Sequence, residues 1–221
     1  MEALLAFGAA LLSLRLAGGL AGRWRTSRSP ELAAWAFGLL AYALASAALA
    51  WGAAHGWDAR AFRAYYLFGG LLTAPLLGAG SLLLVGRRWA GPVALLWSGL
   101  AIGVMIAVPV HGDFTGTAIP TAQAHLDFLP ARLLAVVANT AGTVAVVVVA
   151  LMGIRRRTLG NALILAGVGT AAVGSALAGL GEAGTALFIA AAALLLYLGF
   201  VTPTRWGDRR VASEGSASLP G

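Results

Sequence analysis

Three histidines, each followed closely by an aspartate, have the residue types and spacing that could do chemistry. His55 precedes Asp58, and the stretch 111–130 contains the pattern His-x-Asp twice. Imidazole and carboxylate groups together are a common ligand set for zinc and other divalent metals. The pattern predicts a candidate metal site formed by His111, Asp113, His125 and Asp127. Because free imidazole changes charge near pH ~6.5, these histidines also permit a pH-sensing role. The alternative is that they are simply the polar residues of a connecting loop.

A second group of residues, Arg63, Tyr66 and Arg132, is a candidate binding site for an anionic ligand. Arg63 and Tyr66 lie near the start of the third apolar stretch, and Arg132 lies near the start of the fifth. Guanidinium groups bind carboxylates and phosphates through paired N–H donors. The alternative, which the nearby acids favour, is that Arg63 and Arg132 pair with Asp113 or Asp127. Such pairs would hold the 111–130 loop against the helices.

The apolar stretches themselves contain few groups that could do chemistry. No Asp, Glu, Lys or His lies in their interiors, and Arg15 is their only charged residue. Proton-coupled transport usually needs a buried carboxylate or histidine, and intramembrane metalloproteases need a motif such as His-Glu-x-x-His. We expect Arg15 either to extend to the lipid headgroups or to pair with a buried polar residue. The polar residues predicted to have a structural role inside the stretches are Arg15, Asn139 and Asn161.

The composition excludes an ordinary soluble protein. Of the 221 residues, 60% are hydrophobic and 10% are charged, against roughly 45–50% and 25% in soluble domains. All 15 basic residues are arginine, so the chain cannot form a Schiff base with retinal. It has no cysteine, which excludes disulfides and cysteine-ligated metals or clusters. We therefore expect no cofactor, no nucleic-acid partner, and an all-α integral membrane protein in contact with the lipid bilayer.

Seven stretches are apolar enough to cross a membrane, since a spanning helix needs about 20 mostly apolar residues. A domain of seven transmembrane helices is predicted over 1–202, followed by a flexible cytoplasmic tail over 203–221. The predicted spans are about 3–22, 32–54, 64–86, 91–110, 131–154, 159–180 and 184–202.

The arginines predict how this bundle is oriented. If all seven spans exist, one side of the membrane carries eleven arginines, and the other side carries Arg60, Arg63 and Arg132. The positive-inside rule places the arginine-rich side in the cytoplasm. This predicts an N-terminus outside, a cytoplasmic C-terminus and an extracytoplasmic 111–130 loop. The eleven arginines are Arg23, Arg25, Arg28, Arg87, Arg88, Arg155, Arg156, Arg157, Arg205, Arg209 and Arg210.

Small residues and a proline predict how the helices pack. The chain has 30 glycines, and small residues allow close approach between helices in lipid. Pro75 should bend the third span. Trp35 and Trp97 lie deep within their spans, and we expect them to pack between helices.

The third span also carries a resemblance. The stretch Arg63-Ala64-Tyr65-Tyr66-Leu67-Phe68-Gly69 contains the pattern Arg-x-Tyr-Tyr-Leu-x-Gly. It resembles a motif of an uncharacterised family of seven-span membrane proteins from GC-rich bacteria. The resemblance covers the third span; it implies a protein of a bacterial inner (plasma) membrane, and it implies no activity. The seven-span layout is more distantly similar to the membrane sensor regions of some bacterial histidine kinases, although this sequence contains no kinase segment.

Three functions remain open from the sequence. The first is a non-catalytic sensor or accessory protein with the 111–130 loop as its ligand region and a membrane or cytoplasmic protein as partner. The second is a transporter or channel for a small neutral or anionic solute, for which broken helices and midplane polar groups are typical. The third is a metal-dependent enzyme at the outer interface. The sequence favours the first and predicts no catalytic residue.

Overall fold

A computed structural model describes residues 2–155, 158–179 and 185–201, which form an all-helical bundle without strands. Each predicted apolar stretch coincides with a long helix. The tail 203–221 and the loop residues Arg156 and Arg157 lie outside the described residues. The long helices are α1 (Glu2–Ser27), α2 (Pro30–His55), α3 (Ala59–Leu84), α4 (Ala90–Ala107), α6 (Leu133–Gly153), α7 (Thr158–Gly179) and α8 (Thr185–Val201), and the short α5 (Ala122–His125) lies in the loop before α6.

The helices have the length and the surface of membrane spans. Helices α1 to α4 and the segment Phe128–Gly153 are each long and apolar enough to cross a bilayer, whereas the apolar segments described in α7 and α8 are shorter. Large apolar side chains such as Leu95, Leu96 and Ile106 are about three-quarters exposed, at 77%, 76% and 76%. A continuous apolar surface of this kind is unfavourable in water and favourable in lipid. The chain is a membrane-embedded protein.

Helix α2 lies at the centre of the packing, and α4 lies at its edge. Helix α1 pairs along α2 and also contacts α8, while α3 packs on both α2 and α6. In the most apolar 18-residue window of α2, 61% of the residues are buried, against 17% in α4. Two residues, Arg28 and Ser29, separate α1 from α2, so these two helices form a tight antiparallel hairpin.

Helices α3 and α6 approach each other backbone to backbone. A Cβ atom added at Gly78 would lie 2.7 Å from the Cα atom of Gly142, and one added at Gly142 would collide with the Ala74 carbonyl group. This contact confirms the predicted packing role of small residues. In contrast, a Cβ atom at Gly99 or Gly103 of α4 would meet nothing within 4 Å.

Two clusters of buried side chains form the core, one towards each end of the bundle. The first includes Leu49, Phe62 and Leu71, and the second includes Leu39 and Leu77. Tryptophans join the helices around both clusters, as predicted. Trp35 packs against Gly80 and against the ring of Phe200 at a centroid distance of 5.3 Å, and Trp97 bonds to α3.

Candidate functional site at the loop end of helix α3

Helix α3 is not a regular α-helix throughout. The segment Tyr66–Thr73 is π-helical, and Pro75 follows it directly after Ala74. Proline has no N–H and its ring clashes with the carbonyl group four residues earlier, which here is that of Leu71. A wider π-helical turn relieves such a clash. Thr73 shows the wider pattern, because its hydroxyl donates to the carbonyl of Phe68, five residues earlier, at 2.7 Å.

Side chains from two neighbouring helices satisfy the carbonyl groups that Pro75 cannot reach. Residue 75 would donate to Leu71 in an α-helix or to Gly70 in a π-helix. The indole Nε1 of Trp97 donates to the Leu71 carbonyl at 2.8 Å, and the amide Nδ2 of Asn139 donates to the Gly70 carbonyl at 2.6 Å. An unsatisfied carbonyl group is costly in hydrocarbon. Helices α4 and α6 are therefore tied to α3 at its interruption.

Polar side chains of the long helices bond to helix backbones. Asn139 also donates to the Ala135 carbonyl at 2.9 Å, and the Tyr42 hydroxyl donates to the Ile189 carbonyl of α8 at 2.8 Å. The predicted structural role of Asn139 is thus seen directly in its contacts. Tyr42 and Asn139 thus link different helices, whereas Thr73 bonds within its own helix.

Arg63 lies at the loop end of α3 and bonds to the end of α4. Its side chain is half-buried, and its guanidinium group donates to the Met105 carbonyl. The last four carbonyl groups of a helix lack intrahelical partners, and a cation is favourable there because of the helix dipole. The predicted pairing of Arg63 and Arg132 with Asp113 or Asp127 is wrong: within the described ranges neither arginine forms an ion pair.

Tyr66 and Arg132 belong to a different contact from Arg63. The ring of Tyr66 stacks on Phe62 at 6.0 Å. The guanidinium of Arg132 lies 5.6 Å from the ring centroid of Phe128, a cation–π geometry, and close enough to Tyr66 to interact with it electrostatically. The three predicted ligand-binding residues thus share one end of the bundle but do not line one pocket.

Of these three residues, Arg63 lines an open groove that Tyr66 and Arg132 do not line. The groove has a volume of about 300 Å³ and runs between α3 and α4. Its lining residues are Arg63, Ala64, Leu67, Phe68, Met105 and Ile106.

Aromatic rings pack the loop before α6 onto the end of the bundle. Phe62, which is fully buried near the start of α3, contacts the rings of Phe114 and His125 at 5.5 and 5.3 Å. Phe114 and His125 stack on each other at 4.2 Å with an interplanar angle of 11°. This trio, Phe62, Phe114 and His125, is called the loop cluster below. The loop cluster places the loop directly over the first core cluster, which includes Leu49 and Leu71.

Backbone and imidazole hydrogen bonds close the two ends of this loop on each other. The His111 N–H donates to the His125 carbonyl at 3.0 Å, and Nδ1 of His125 lies 2.8 Å from the His111 carbonyl. Because a carbonyl group only accepts, Nδ1 carries the hydrogen in this contact. The indole of Trp57 donates to the Thr117 carbonyl at 3.2 Å. The loop is therefore also tied to the connection between α2 and α3.

The four predicted metal ligands do not converge. His111 Nε2 lies 3.5 Å from Asp127 Oδ2 at the exposed surface, whereas His125 is buried in the loop cluster and Asp113 is exposed. In the described part of the chain, no three histidine or acidic side chains are grouped as metal ligands would be. His125 packs against the rings of Phe62 and Phe114, whereas the sequence predicted it to be a metal ligand.

The intramembrane residues Arg15 and Asn161 also have separate surroundings. Arg15 is exposed on α1 and forms no hydrogen bond or ion pair within the described ranges. Of the two alternatives for Arg15, pairing with a buried polar residue such as Asn139 or Asn161 is not seen among the described residues, and extension to the lipid headgroups stays a prediction. The Asn161 amide instead lies against α6, since a Cβ atom at Gly153 would be 2.6 Å from its Nδ2.

Sequence reasoning missed three residues of this region: Trp97 as a donor, Met105 as an acceptor and Phe114 as the ring on His125. One signal was present, because Pro75 requires a donor for the carbonyl group four residues earlier. Nothing in the sequence says which distant residue supplies it. Comparisons of the chain with protein-family models, curated proteins and solved structures find no match.

Proposed function

We propose that this chain is a non-catalytic sensor or accessory protein in the plasma membrane of a bacterium. It crosses the membrane seven times, with its N-terminus outside and its C-terminus in the cytoplasm. The distribution of arginines supports this orientation. Exposed arginines lie at or next to the helix ends assigned to the cytoplasmic side. They are Arg23, Arg25, Arg28, Arg87, Arg88 and Arg155.

The contact between the loop and α3 is the observation that supports sensing. Phe62 belongs to the loop cluster and lies only four residues before the π-helical segment Tyr66–Thr73. A ligand or partner that displaces the loop changes the packing of Phe62, and hence of the helix whose hydrogen bonding is already irregular. Such a segment is a natural place for a change of conformation.

Hydrogen–deuterium exchange of the purified full chain tests this coupling. The variant His125→Ala removes one ring from the loop cluster and the hydrogen bond between the imidazole Nδ1 and the His111 carbonyl. We expect faster exchange not only in the loop but also in the amides of 66–73. The matched control Asp113→Ala changes an exposed loop residue, and should leave 66–73 unchanged. If exchange rises only within the loop of the His125→Ala variant, the sensing proposal fails.

A transporter for a small solute is the second candidate, and the interruption of α3 favours it. Transporter sites are commonly built at interrupted helices whose free carbonyl groups contact the cargo. Here side chains already occupy the carbonyl groups of Gly70 and Leu71, so transport requires them to be released. Solute-driven swelling of proteoliposomes decides between the two: swelling above that of empty liposomes favours transport.

A further inference from the structure

The groove beside Arg63 has one positively charged group next to an otherwise apolar wall. Apart from the guanidinium, its lining consists of the methyl group of Ala64 and of larger apolar side chains. Its volume of about 300 Å³ is at the lower end of the range for small-ligand sites, roughly 300–1,000 Å³. The groove is open to the outside of the bundle, because Ile106 at its edge is 76% exposed.

The guanidinium of Arg63 has donors left for a ligand. An arginine carries five N–H donors, and the bond to the Met105 carbonyl uses one of them. No carboxylate pairs with this group anywhere in the described ranges. A half-buried cation next to an apolar surface favours an anionic partner with several acceptor oxygens, and phosphate fits this geometry well.

The depth of the groove indicates the kind of phosphate. Arg63 is the fifth residue of α3, and Met105 is two residues before the end of α4. At 1.5 Å per residue, Arg63 lies about one helical turn inside the start of α3, and Met105 lies about half a turn inside the end of α4. In a membrane-embedded bundle this is the level where headgroups give way to acyl chains. The exposed side of the groove faces lipid.

We propose that this groove binds one phospholipid molecule. The phosphate accepts hydrogen bonds from Arg63, and the adjoining part of an acyl chain lies on Leu67, Phe68 and Ile106. This proposal depends on the chain being embedded in a membrane and not on its being a sensor. A free phosphate ion has the same oxygen chemistry but makes no contact with the apolar wall, so the two sources are distinguishable.

Native mass spectrometry of the full chain in a non-ionic detergent tests the proposal. The probes are dioleoylphosphatidylglycerol, dioleoylglycerol (which has the same chains and no phosphate) and inorganic phosphate. We expect the wild-type chain to retain phosphatidylglycerol and neither of the other probes. Arg63→Gln should weaken retention by about tenfold or more, because a charge-assisted hydrogen bond is lost.

Two further variants separate lipid binding from a change in folding. Ala64→Leu fills the groove without altering the Arg63–Met105 bond, and should also weaken retention. The matched control Arg15→Gln removes an exposed arginine of α1 that is not among the residues lining this groove, and should bind as the wild type does. Equal retention by the wild type, Arg63→Gln and Ala64→Leu overturns the proposal. Binding of inorganic phosphate that depends on Arg63 but is indifferent to Ala64→Leu also overturns it, since the site would then be one for free anions.

Discussion

Asn139 shows most directly how a single polar side chain supports the interior of this bundle. The two hydrogens of its amide group are matched by two carbonyl groups, one on its own helix and one at Gly70 of α3. The neighbouring Thr140 is exposed on the same helix. These two adjacent positions therefore separate the effect of a buried donor from that of an exposed polar group.

Replacing Asn139 by leucine should lower the free energy of unfolding by about 1–2 kcal/mol, because the Gly70 carbonyl loses the amide donor that links α6 to α3. Reversible unfolding in mixed detergent micelles measures this change. The matched control Thr140→Val should change the free energy by less than about 0.5 kcal/mol. Similar losses in both variants would show that the Asn139 bonds contribute nothing specific.

Predictions from the sequence were weakest for the partners of single residues. Arg63 was matched with Asp113 or Asp127 because opposite charges are visible in a sequence. Its actual partner is a backbone carbonyl, which every residue has, and only the fold shows which carbonyl groups lie at a helix end without a partner. The same reason explains His125, whose ring was assigned to a metal but lies against Phe62 and Phe114.

At the scale of elements, the interruption of α3 determines how three helices fit together. Pro75 cannot donate to the Leu71 carbonyl, and Trp97 of α4 does so in its place. The bounds of the helices, in contrast, followed from apolar runs and differ from the structure by a few residues. A bend at Pro75 was predicted, but the π-helical segment was not, because the donors that stabilise it come from α4 and α6.

A double-mutant cycle between Pro75 and Trp97 tests whether the Trp97 indole takes the place of the N–H that Pro75 lacks. Trp97→Phe keeps a ring and removes the donor, and should lower the free energy of unfolding by about 1 kcal/mol. In a Pro75→Ala background, residue 75 regains an N–H for the Leu71 carbonyl, so the same change should cost less. Unfolding in mixed micelles measures all four proteins. Costs that add within about 0.3–0.5 kcal/mol would mean that the two residues act independently.

The contact between α3 and α6 gives a second prediction for the elements. Gly142→Ala should lower the free energy of unfolding by about 1–3 kcal/mol, since its Cβ atom collides with the backbone of α3 at Ala74. The unfolding midpoint in mixed micelles reports the change. Gly99→Ala is the matched control, because a Cβ atom there meets open space. A smaller loss at Gly142 than at Gly99 contradicts the proposed contact.

At the scale of the whole molecule, the two ends of the bundle differ in chemistry. One end carries the exposed arginines between α1 and α2 and between α3 and α4, and the other carries the packed loop with His111 and His125. Charge asymmetry of this kind orients membrane proteins during insertion. It could be read from the sequence because it depends on counts over whole loops and not on individual contacts.

Single-cysteine labelling tests the proposed orientation, and the chain suits it because it has no cysteine of its own. In intact cells, a membrane-impermeant maleimide should label Thr115→Cys. It should not label Ser27→Cys or Ser216→Cys until the membrane is permeabilised. Labelling of Ser27→Cys in intact cells would show that the orientation is the reverse of the one proposed. Labelling of Thr115→Cys and Ser216→Cys from the same side would instead mean an even number of spans between them.

The missing N–H of Pro75 also limits how this sequence can change over generations. While proline stands at position 75, loss of the Trp97 indole removes the side-chain donor of the Leu71 carbonyl. Once another residue replaces the proline, its own N–H can serve that carbonyl. We therefore expect substitution at position 75 to come first and drift at position 97 to follow. One backbone atom thus sets the order of mutations between two helices.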